Sequence, residues 1–330
     1  MNILILGDRA RYDRYMPAYV SALPLTLRSF PADTPVSVLL EEAGDTDIIL
    51  CDAGVAPVTA ELISGLPALK MIHTDGVGYN AVDVAAAAKR GVFVCNCKGC
   101  NADAVAESAV MLMLMLTRLA VPGYRAVVEG RQMAYKEEVM RSAVPEFADF
   151  SVGLVGLGDI AKATLRRLAP FGNKVYYYAP HRRSPEEEAE LGVTYLPLEE
   201  LAATCDILSL HCAASEETAG MVNEALLRRM RPGSYLVNTA RGQLVDNEAV
   251  RSALLGGHLA GAAFDTLWPE PTPADHPLVA LPPEVRDRVV YAPHLAGNTG
   301  PAFRRAYETV WDNVRRVLDG ERPRFVVNGL

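Results

Sequence analysis

Apolar residues in this chain fall into short β-rich runs that alternate with longer stretches of helical spacing almost from end to end. Short continuous apolar runs read as strands buried on both faces, so the pattern predicts parallel sheets covered by helices. In the first hundred residues the strands fall at 3–6, weakly at 25–28, then at 47–51, 69–73 and 92–95, with helices between them at 58–64 and 82–90. Asn101 is expected to cap a long apolar helix running to about residue 120, and 123–149 reads as polar and irregular. A second series begins at Ser151, with strands at 152–155, 174–178, 206–210 and 234–238 and near Ala260 and Val290, and a helix at 160–169. From 301 to 318, Phe303, Tyr307, Val310, Trp311, Val314, Val317 and Leu318 recur at helical spacing, so that tail must pack on something.

Length and charge narrow the classes. At 330 residues the chain exceeds the usual span of one core, which implies two domains. A net charge of −8 argues against nucleic acid and anionic membrane surfaces, both of which require a basic face. The longest membrane-like run, residues 109–116, is far short of the roughly 20 apolar residues of a spanning helix. The N-terminus reads directly as a strand, without a basic leader, so a cytoplasmic protein is expected. Its six cysteines are then expected as thiols. Cys95, Cys97 and Cys100 form a C-x-C-x-x-C run without a fourth Cys or His nearby in sequence, and structural zinc wants four ligands, so no metal is expected.

Gly156-Leu157-Gly158-Asp159-Ile160-Ala161 matches G-x-G-x-x-G/A between an apolar strand and an amphipathic helix, the context in which that pattern binds a dinucleotide. The first glycine allows a tight turn, Gly158 lets backbone approach a pyrophosphate, and Ala161 stays small against the strand; the amides of Asp159 and Ile160 open the helix toward phosphate. An NAD-preferring site places Asp or Glu about 20 residues on, at the end of the next strand. Here that strand runs into Ala179-Pro180-His181-Arg182-Arg183-Ser184, with no carboxylate and two guanidinium groups, which favours a 2′-phosphate and hence NADP(H), NAD(H) remaining possible. Glu186, Glu187 and Glu188 follow closely and are alternative partners for the two arginines.

Further motifs extend over nearly the whole chain: Gly76-Val77-Gly78-Tyr79-Asn80-Ala81-Val82-Asp83, residues 101–108, Leu210-His211-Cys212, Asn238-Thr239-Ala240-Arg241-Gly242, Phe264-Asp265 through Glu270-Pro271, and Ala292-Pro293-His294. In this order, with the glycine turn, they resemble the D-isomer-specific 2-hydroxyacid dehydrogenase family, which includes glyoxylate/hydroxypyruvate reductases and phosphoglycerate dehydrogenases. The resemblance implies that Arg241 grips the substrate carboxylate and polarises the keto oxygen, and that His294 is the general acid and base at that oxygen. It implies that Glu270 hydrogen-bonds the other ring nitrogen and that the N–H groups of Val77 and Gly78 bind the carboxylate. Asp265 would hold the nicotinamide carboxamide, with His211, Cys212, Thr239 and Ala240 lining the cofactor. His73 and Asp75 match no catalytic position of the family, and His211 none beyond its place beside the cofactor.

Departures from the family pattern also inform. Formate dehydrogenases of the family carry Gln where Glu270 stands, which argues against formate as substrate. Residues 51–56 lack the basic groups that phosphoglycerate enzymes present near there, the family's usual Trp is missing from 131–149, and no regulatory domain is expected beyond Leu330. The expected fold is therefore α/β: a Rossmann-type doubly wound parallel sheet over residues 100–295, plus a flavodoxin-like substrate domain built from 1–99 and 296–330. Substrate is expected between the domains, and the apolar face of residues 104–120 is expected to form a homodimer. The expected activity is hydride transfer between NADP(H) and a small 2-keto or D-2-hydroxy acid, glyoxylate or hydroxypyruvate first. Alternatives are an NAD-linked D-2-hydroxyacid or phosphoglycerate dehydrogenase, and a dinucleotide-sensing scaffold similar to the C-terminal binding protein corepressors.

Overall fold

In the computed structural model, which describes residues 1–53 and 56–330, the short apolar runs pair in parallel into two separate sheets. The strands are β1 (Asn2–Leu6), β2 (Thr26–Phe30), β3 (Ile48–Cys51), β4 (Met71–Thr74), β5 (Phe93–Cys95), β6 (Val152–Val155), β7 (Val175–Tyr178), β8 (Thr194–Tyr195), β9 (Ile207–Leu210), β10 (Ser234–Asn238), β11 (Leu259–Phe264) and β12 (Val289–Tyr291). The chain divides into one unit of Met1–Asn101 with Asn298–Leu330, and a second of Ala102–Gly297.

In the first unit the order is β2-β1-β3-β4-β5, the flavodoxin-like arrangement, whose direction of winding reverses between β1 and β3. Every residue of β3 and β4 is buried, which is why these strands read as continuous apolar runs rather than alternating ones. The one histidine among them, His73, is fully buried and neutral: its Nδ1 donates to the Thr74 carbonyl at 2.8 Å and its Nε2 accepts from Asn313 at 2.9 Å. Burial pushes its pKa down to about 4. Helix Gly300–Leu318 lays Tyr307, Val310, Trp311 and Val314 on the sheet, with Tyr12 edge-on to the Tyr307 ring at 4.8 Å. Thr299 caps that helix by accepting from Ala302 N at 3.3 Å.

In the second unit the order is β12-β11-β10-β9-β6-β7-β8, a Rossmann arrangement whose winding reverses between β6 and β9. Helix Ala102–Thr117 packs on one face, where Val110, Leu112, Met113 and Leu116 join Val152, Leu154, Leu165 and Tyr177 in one core. Two local expectations need correction, and one strand was not anticipated. Asn101 precedes that helix, but its Oδ1 is buried without a hydrogen-bond partner among the described residues, so it is no cap. Residues 123–149 are largely helical, as Ala120–Val128 and Gln132–Ser142; the second of these buries no residue and the first buries Ala126 alone, so neither carries the apolar stripe from which helices are read. The two-residue edge strand β8 is too short to leave a pattern.

No single helix among the described residues is long and apolar enough to cross a membrane. The pair Ala102–Thr117 and Ala120–Val128 passes by length and composition only; it is bent by 61° and its first member is mostly core.

Candidate active site

The chemistry of the second unit sits on the loops after the C-terminal ends of its strands. Beyond β6 the chain turns through Gly156, at φ +101°, into helix Asp159–Leu168. A Cβ on Gly156 would lie 2.9 Å from the carbonyl carbon and oxygen of His211 and 3.0 Å from Cys212 N, so only glycine lets this turn pass the segment leaving β9. Gly158 is different. Its φ is −87° and a Cβ there would meet nothing within 4 Å, so neither backbone angle nor protein packing demands glycine. What a side chain would obstruct is the space over the amides of Asp159 and Ile160, where a helix N-terminus receives a pyrophosphate. On the loops after β9 and β10, His211 Nδ1 and Thr239 Oγ1 are buried without hydrogen-bond partners among the described residues. These features fit a nicotinamide dinucleotide. His211 is held neutral by burial, which pushes its pKa down to about 4, and its Nε2 lies 2.9 Å from Ser209 Oγ.

Past β7 the two arginines behave differently. Arg182 forms a bidentate pair with Glu188, Nε to Oε1 at 2.8 Å and Nη2 to Oε2 at 2.9 Å, which holds the Glu188 carboxyl below its ordinary range. The Arg183 guanidinium donates only a long bond, Nη2 to the Leu157 carbonyl at 3.3 Å; its Nε stands 3.9 Å from Glu187 Oε1 and is buried without a hydrogen-bond partner among the described residues. Glu187 itself is paired with Lys162 at 2.7 Å. His181 is exposed beside them.

Three loops after β10, β11 and β12 carry the polar set. Asn238, fully buried at the end of β10, accepts from Ala240 N at 3.0 Å and donates to the Arg241 carbonyl at 2.9 Å, clamping the turn that presents Arg241. Burial of the Arg241 guanidinium lowers its pKa, partly offset by the field of Glu270. At Gly242 a Cβ would lie 2.3 Å from Leu267 C and 2.5 Å from Trp268 N: the segment leading to Glu270 crosses directly over the residue after Arg241. His294 Nδ1 lies 2.9 and 3.1 Å from the two Glu270 oxygens, so the ring donates there and keeps Nε2 for another partner. Its backbone is left-handed, φ +54°. Asp265 fixes that turn. Its carbonyl accepts from His294 N at 2.8 Å, and its carboxylate accepts from Leu295 N at 2.9 Å and Ala296 N at 3.1 and 3.2 Å. Burial raises the Asp265 pKa, against the lowering by those two amides.

The profile of the D-isomer specific 2-hydroxyacid dehydrogenase NAD binding domain matches residues 110–296. A glyoxylate reductase from Thermofilum pendens is 38% identical over 290 residues, 88% of this chain and 84% of its own. The chain belongs to the D-isomer-specific 2-hydroxyacid dehydrogenase family. Among solved structures, the holo form of Rhodotorula graminis D-mandelate dehydrogenase superposes with a TM-score of 0.86 at 28% identity, covering 99% of this chain and 97% of its own. An NADPH-dependent glyoxylate/hydroxypyruvate reductase from Sinorhizobium meliloti, in complex with NADP and malonate, gives 0.81 at 26% identity, with 99% and 96% covered. The protein is thus an NAD(P)-dependent oxidoreductase of the D-2-hydroxyacid class.

Within this dehydrogenase, Arg241, Glu270 and His294 lie on neighbouring loops of the second unit, as do Thr239, Ala240 and Asp265, while His211 and Cys212 follow β9. Val77 and Gly78 belong to the first unit, on the turn after β4. There the Gly76 carbonyl accepts from Cys97 N at 2.8 Å and Thr74 Oγ1 at 3.1 Å, and the Val77 carbonyl from Asn96 Nδ2 at 2.7 Å. Among the described residues no hydrogen bond uses the N–H of Val77 or Gly78. The expectation drawn from residues 51–56 falls partly on Gly54 and Val55, which lie outside the described residues. Cys95, Cys97 and Cys100 are buried, with Cys97 Sγ 3.4 Å from the Thr74 carbonyl, and no group of His, Cys, Asp or Glu among the described residues is arranged to hold a metal. Sequence reasoning missed Asn238 as the clamp on Arg241, and also missed His276 and Asn247. His276, buried in Asp275-His276-Pro277-Leu278, accepts from Leu278 N at 3.2 Å and donates through Nε2 to the Trp268 carbonyl at 3.0 Å; Asn247 donates to the same oxygen at 2.9 Å. Both hold the Glu270 segment. The only sequence signal was an unassigned His beside a Pro in a loop.

Proposed function

We propose that the protein catalyses NADP(H)-linked reduction of a short 2-keto acid, glyoxylate or hydroxypyruvate, to its D-2-hydroxy acid. The observation that carries this is the His294 to Glu270 bond at 2.9 Å, which commits Nδ1 as a donor and leaves Nε2 to move a proton. When bound, the nicotinamide supplies the hydride. Arg241, a cation at any working pH on a turn clamped by Asn238, binds the substrate carboxylate and stabilises charge growing on the keto oxygen. His294 Nε2 gives its proton to that oxygen, and Glu270 stabilises the ring's charge and orientation. Asp265 keeps the His294 turn in register and retains acceptor capacity for a carboxamide. In the first unit, the N–H groups of Val77 and Gly78 make no hydrogen bond among the described residues and are donors suited to a carboxylate.

For the cofactor, Arg183, whose Nε has no hydrogen-bond partner among the described residues, is the better donor to a 2′-phosphate, since Arg182 is already bidentate with Glu188. The glyoxylate reductase and the NADPH-dependent reductase among the relatives support this choice of substrate and cofactor. A homodimer is supported by an apolar groove of about 850 Å³ between helices Ala102–Thr117 and Asp159–Leu168, lined by Val110, Met111, Leu114, Met115 and Phe171. The test follows NADPH and NADH absorbance with glyoxylate, hydroxypyruvate, phosphohydroxypyruvate and longer 2-keto acids. Turnover of the first two, faster with NADPH, is expected. Tight cofactor binding without turnover of any acid would overturn the proposal in favour of a dinucleotide-sensing scaffold.

A further inference from the structure

Past the C-terminal ends of the adjacent strands β3 and β4 lies a buried polar cluster to which the catalytic reading gives no task. Its centre is Asp75, 8% exposed, the residue before Gly76-Val77-Gly78. One oxygen accepts from Ala53 N at 3.1 Å, the other from Tyr307 OH at 3.0 Å, and its own N–H donates to the Cys51 carbonyl at 2.9 Å. One carboxylate therefore joins the turn after β3, the turn after β4 and the C-terminal helix. The two turns also touch directly: a Cβ on Gly76 would lie 2.9 Å from the Cβ of Ala53.

We propose that Asp75 is a positioning residue for the anion-binding turn, and that its charge sets how tightly an anionic substrate is held by the Val77 and Gly78 amides. This rests on the reading of those amides as a carboxylate site. The groups facing Asp75 are Arg11 and Tyr12 from the helix after β1, Cys51 and Asp52 at and after the end of β3, Cys97 and Cys100 from beyond β5, and Tyr307. Arg11 is the one cation of this set, and it is itself ion-paired with Asp52. Burial first, and the like charge of Asp52 second, raise the Asp75 pKa to about 6, against Arg11, Tyr307 and the Ala53 amide. Above that pH the turn carries a negative charge on the residue beside it. Below that pH the charge is gone while the substrate, a 2-keto acid, stays ionised. Substrate binding should therefore tighten on acidification, with the chemical step unmoved.

The experiment measures KM and kcat for glyoxylate with saturating NADPH from pH 5 to 8, in the wild type, Asp75→Asn and Tyr307→Phe. Asn keeps an oxygen for the Ala53 amide and turns an N–H toward the Tyr307 oxygen, so the joint between the three elements persists without charge. The wild-type KM should rise about three- to tenfold across the range as the Asp75 charge appears. The Asp75→Asn KM should be flat and lower than wild type at pH 8 by the same factor, with kcat within about twofold. Tyr307→Phe removes a donor to the ionised form and should move the midpoint of the KM rise to higher pH. Parallel profiles for wild type and Asp75→Asn, or a loss expressed in kcat rather than KM, would overturn the inference while leaving the catalytic reading intact. Failure of the wild type to reduce any 2-keto acid would remove the catalytic reading, and this inference with it. Should Asp75→Asn not fold, Tyr307→Phe decides alone: an unmoved midpoint overturns the inference.

Discussion

Gly242→Ala is the substitution most diagnostic of how the site is assembled. A methyl at this position would sit 2.3 Å from Leu267 C and 2.5 Å from Trp268 N. Carbon atoms in contact settle at about 3.5 Å or more, so one of the two segments must retreat by about 1 Å. Both obstructing atoms are backbone, and no side-chain rotamer can relieve them. The Trp268 carbonyl is pinned by His276 and Asn247, so displacement is resisted on both sides. If the 267–270 segment yields, Glu270 moves with it and its 2.9 Å bond to His294 lengthens to about 4 Å, outside hydrogen-bonding range. Overpacking of this kind costs about 1–3 kcal/mol in stability, and misplacing a catalytic group by about 1 Å lowers turnover by roughly 100-fold. The assay pairs urea unfolding with steady-state kinetics on glyoxylate and NADPH titration by fluorescence. A folded variant with kcat down roughly 100-fold and cofactor affinity within about twofold of wild type is expected. A folded variant with unchanged kcat would show that the contact between these loops does not align the acid with its partner.

Arg183→Ala should raise KM for NADPH by about tenfold and leave NADH within about twofold, whereas Arg182→Ala, already committed to Glu188, should change both cofactors alike; equal effects of Arg183→Ala on the two cofactors refute the assignment. Met111→Glu in the apolar groove should convert a dimer into monomer in sedimentation, and an unchanged assembly would move the interface elsewhere. His73, with a pKa of about 4 against 6.5 in an unfolded chain, binds a proton on unfolding throughout that interval, so folding stability it supports above pH 6.5 is lost as pH falls toward 4. Between pH 7 and 5 this loss is about 2 kcal/mol. His73→Gln should flatten the urea stability profile over that range by this amount, and an equally steep profile would deny that His73 is buried neutral.

What could be read from the sequence was what is repeated or obligatory. Buried parallel strands must be apolar on both faces, so β3, β4, β6 and β9 announce themselves, and Gly156 is legible because a close crossing of His211 admits no side chain. Helices 120–128 and 132–142 were illegible because they bury almost nothing and so carry no stripe. Which arginine pairs was harder to read. Glu188 was visible as an alternative partner for Arg182 or Arg183, but its bidentate commitment to Arg182 depends on the turn between strand and helix, where Ser184 caps the helix by accepting from Glu187 N. Asn238, Asn247 and His276 escaped for a related reason: each holds a backbone carbonyl, and a carbonyl leaves no trace in sequence. Asp75 looked inert because the tyrosine that meets it lies 232 positions further along the chain.

The loops proposed to carry catalysis gather features that disfavour folding, and this gives a last testable consequence. His294 sits at φ +54°, a region that costs a residue with a Cβ about 1 kcal/mol. Arg241 is desolvated and the buried Asp265 carboxyl is disfavoured in its charged form. Apart from Asp265, these residues do little for packing: the His294 and Glu270 side chains are 43% and 50% exposed, where an ion pair contributes at most about 1 kcal/mol. Strain held without structural return points to function, and such sites are expected to trade stability for activity. His294→Asn tests this, because asparagine tolerates left-handed backbone better than other residues with a Cβ and keeps the N–H to Asp265. The expected outcome is a melting temperature about 2 °C higher with turnover reduced at least about 100-fold. Ala143, at φ +47° beyond the exposed helix Gln132–Ser142, is the control. Ala143→Gly relieves a similar strain and should leave kcat unchanged. If His294→Asn lowers the melting temperature while Ala143→Gly raises it, the left-handed histidine is held by favourable packing, and the claim that this loop keeps its strain for catalysis falls.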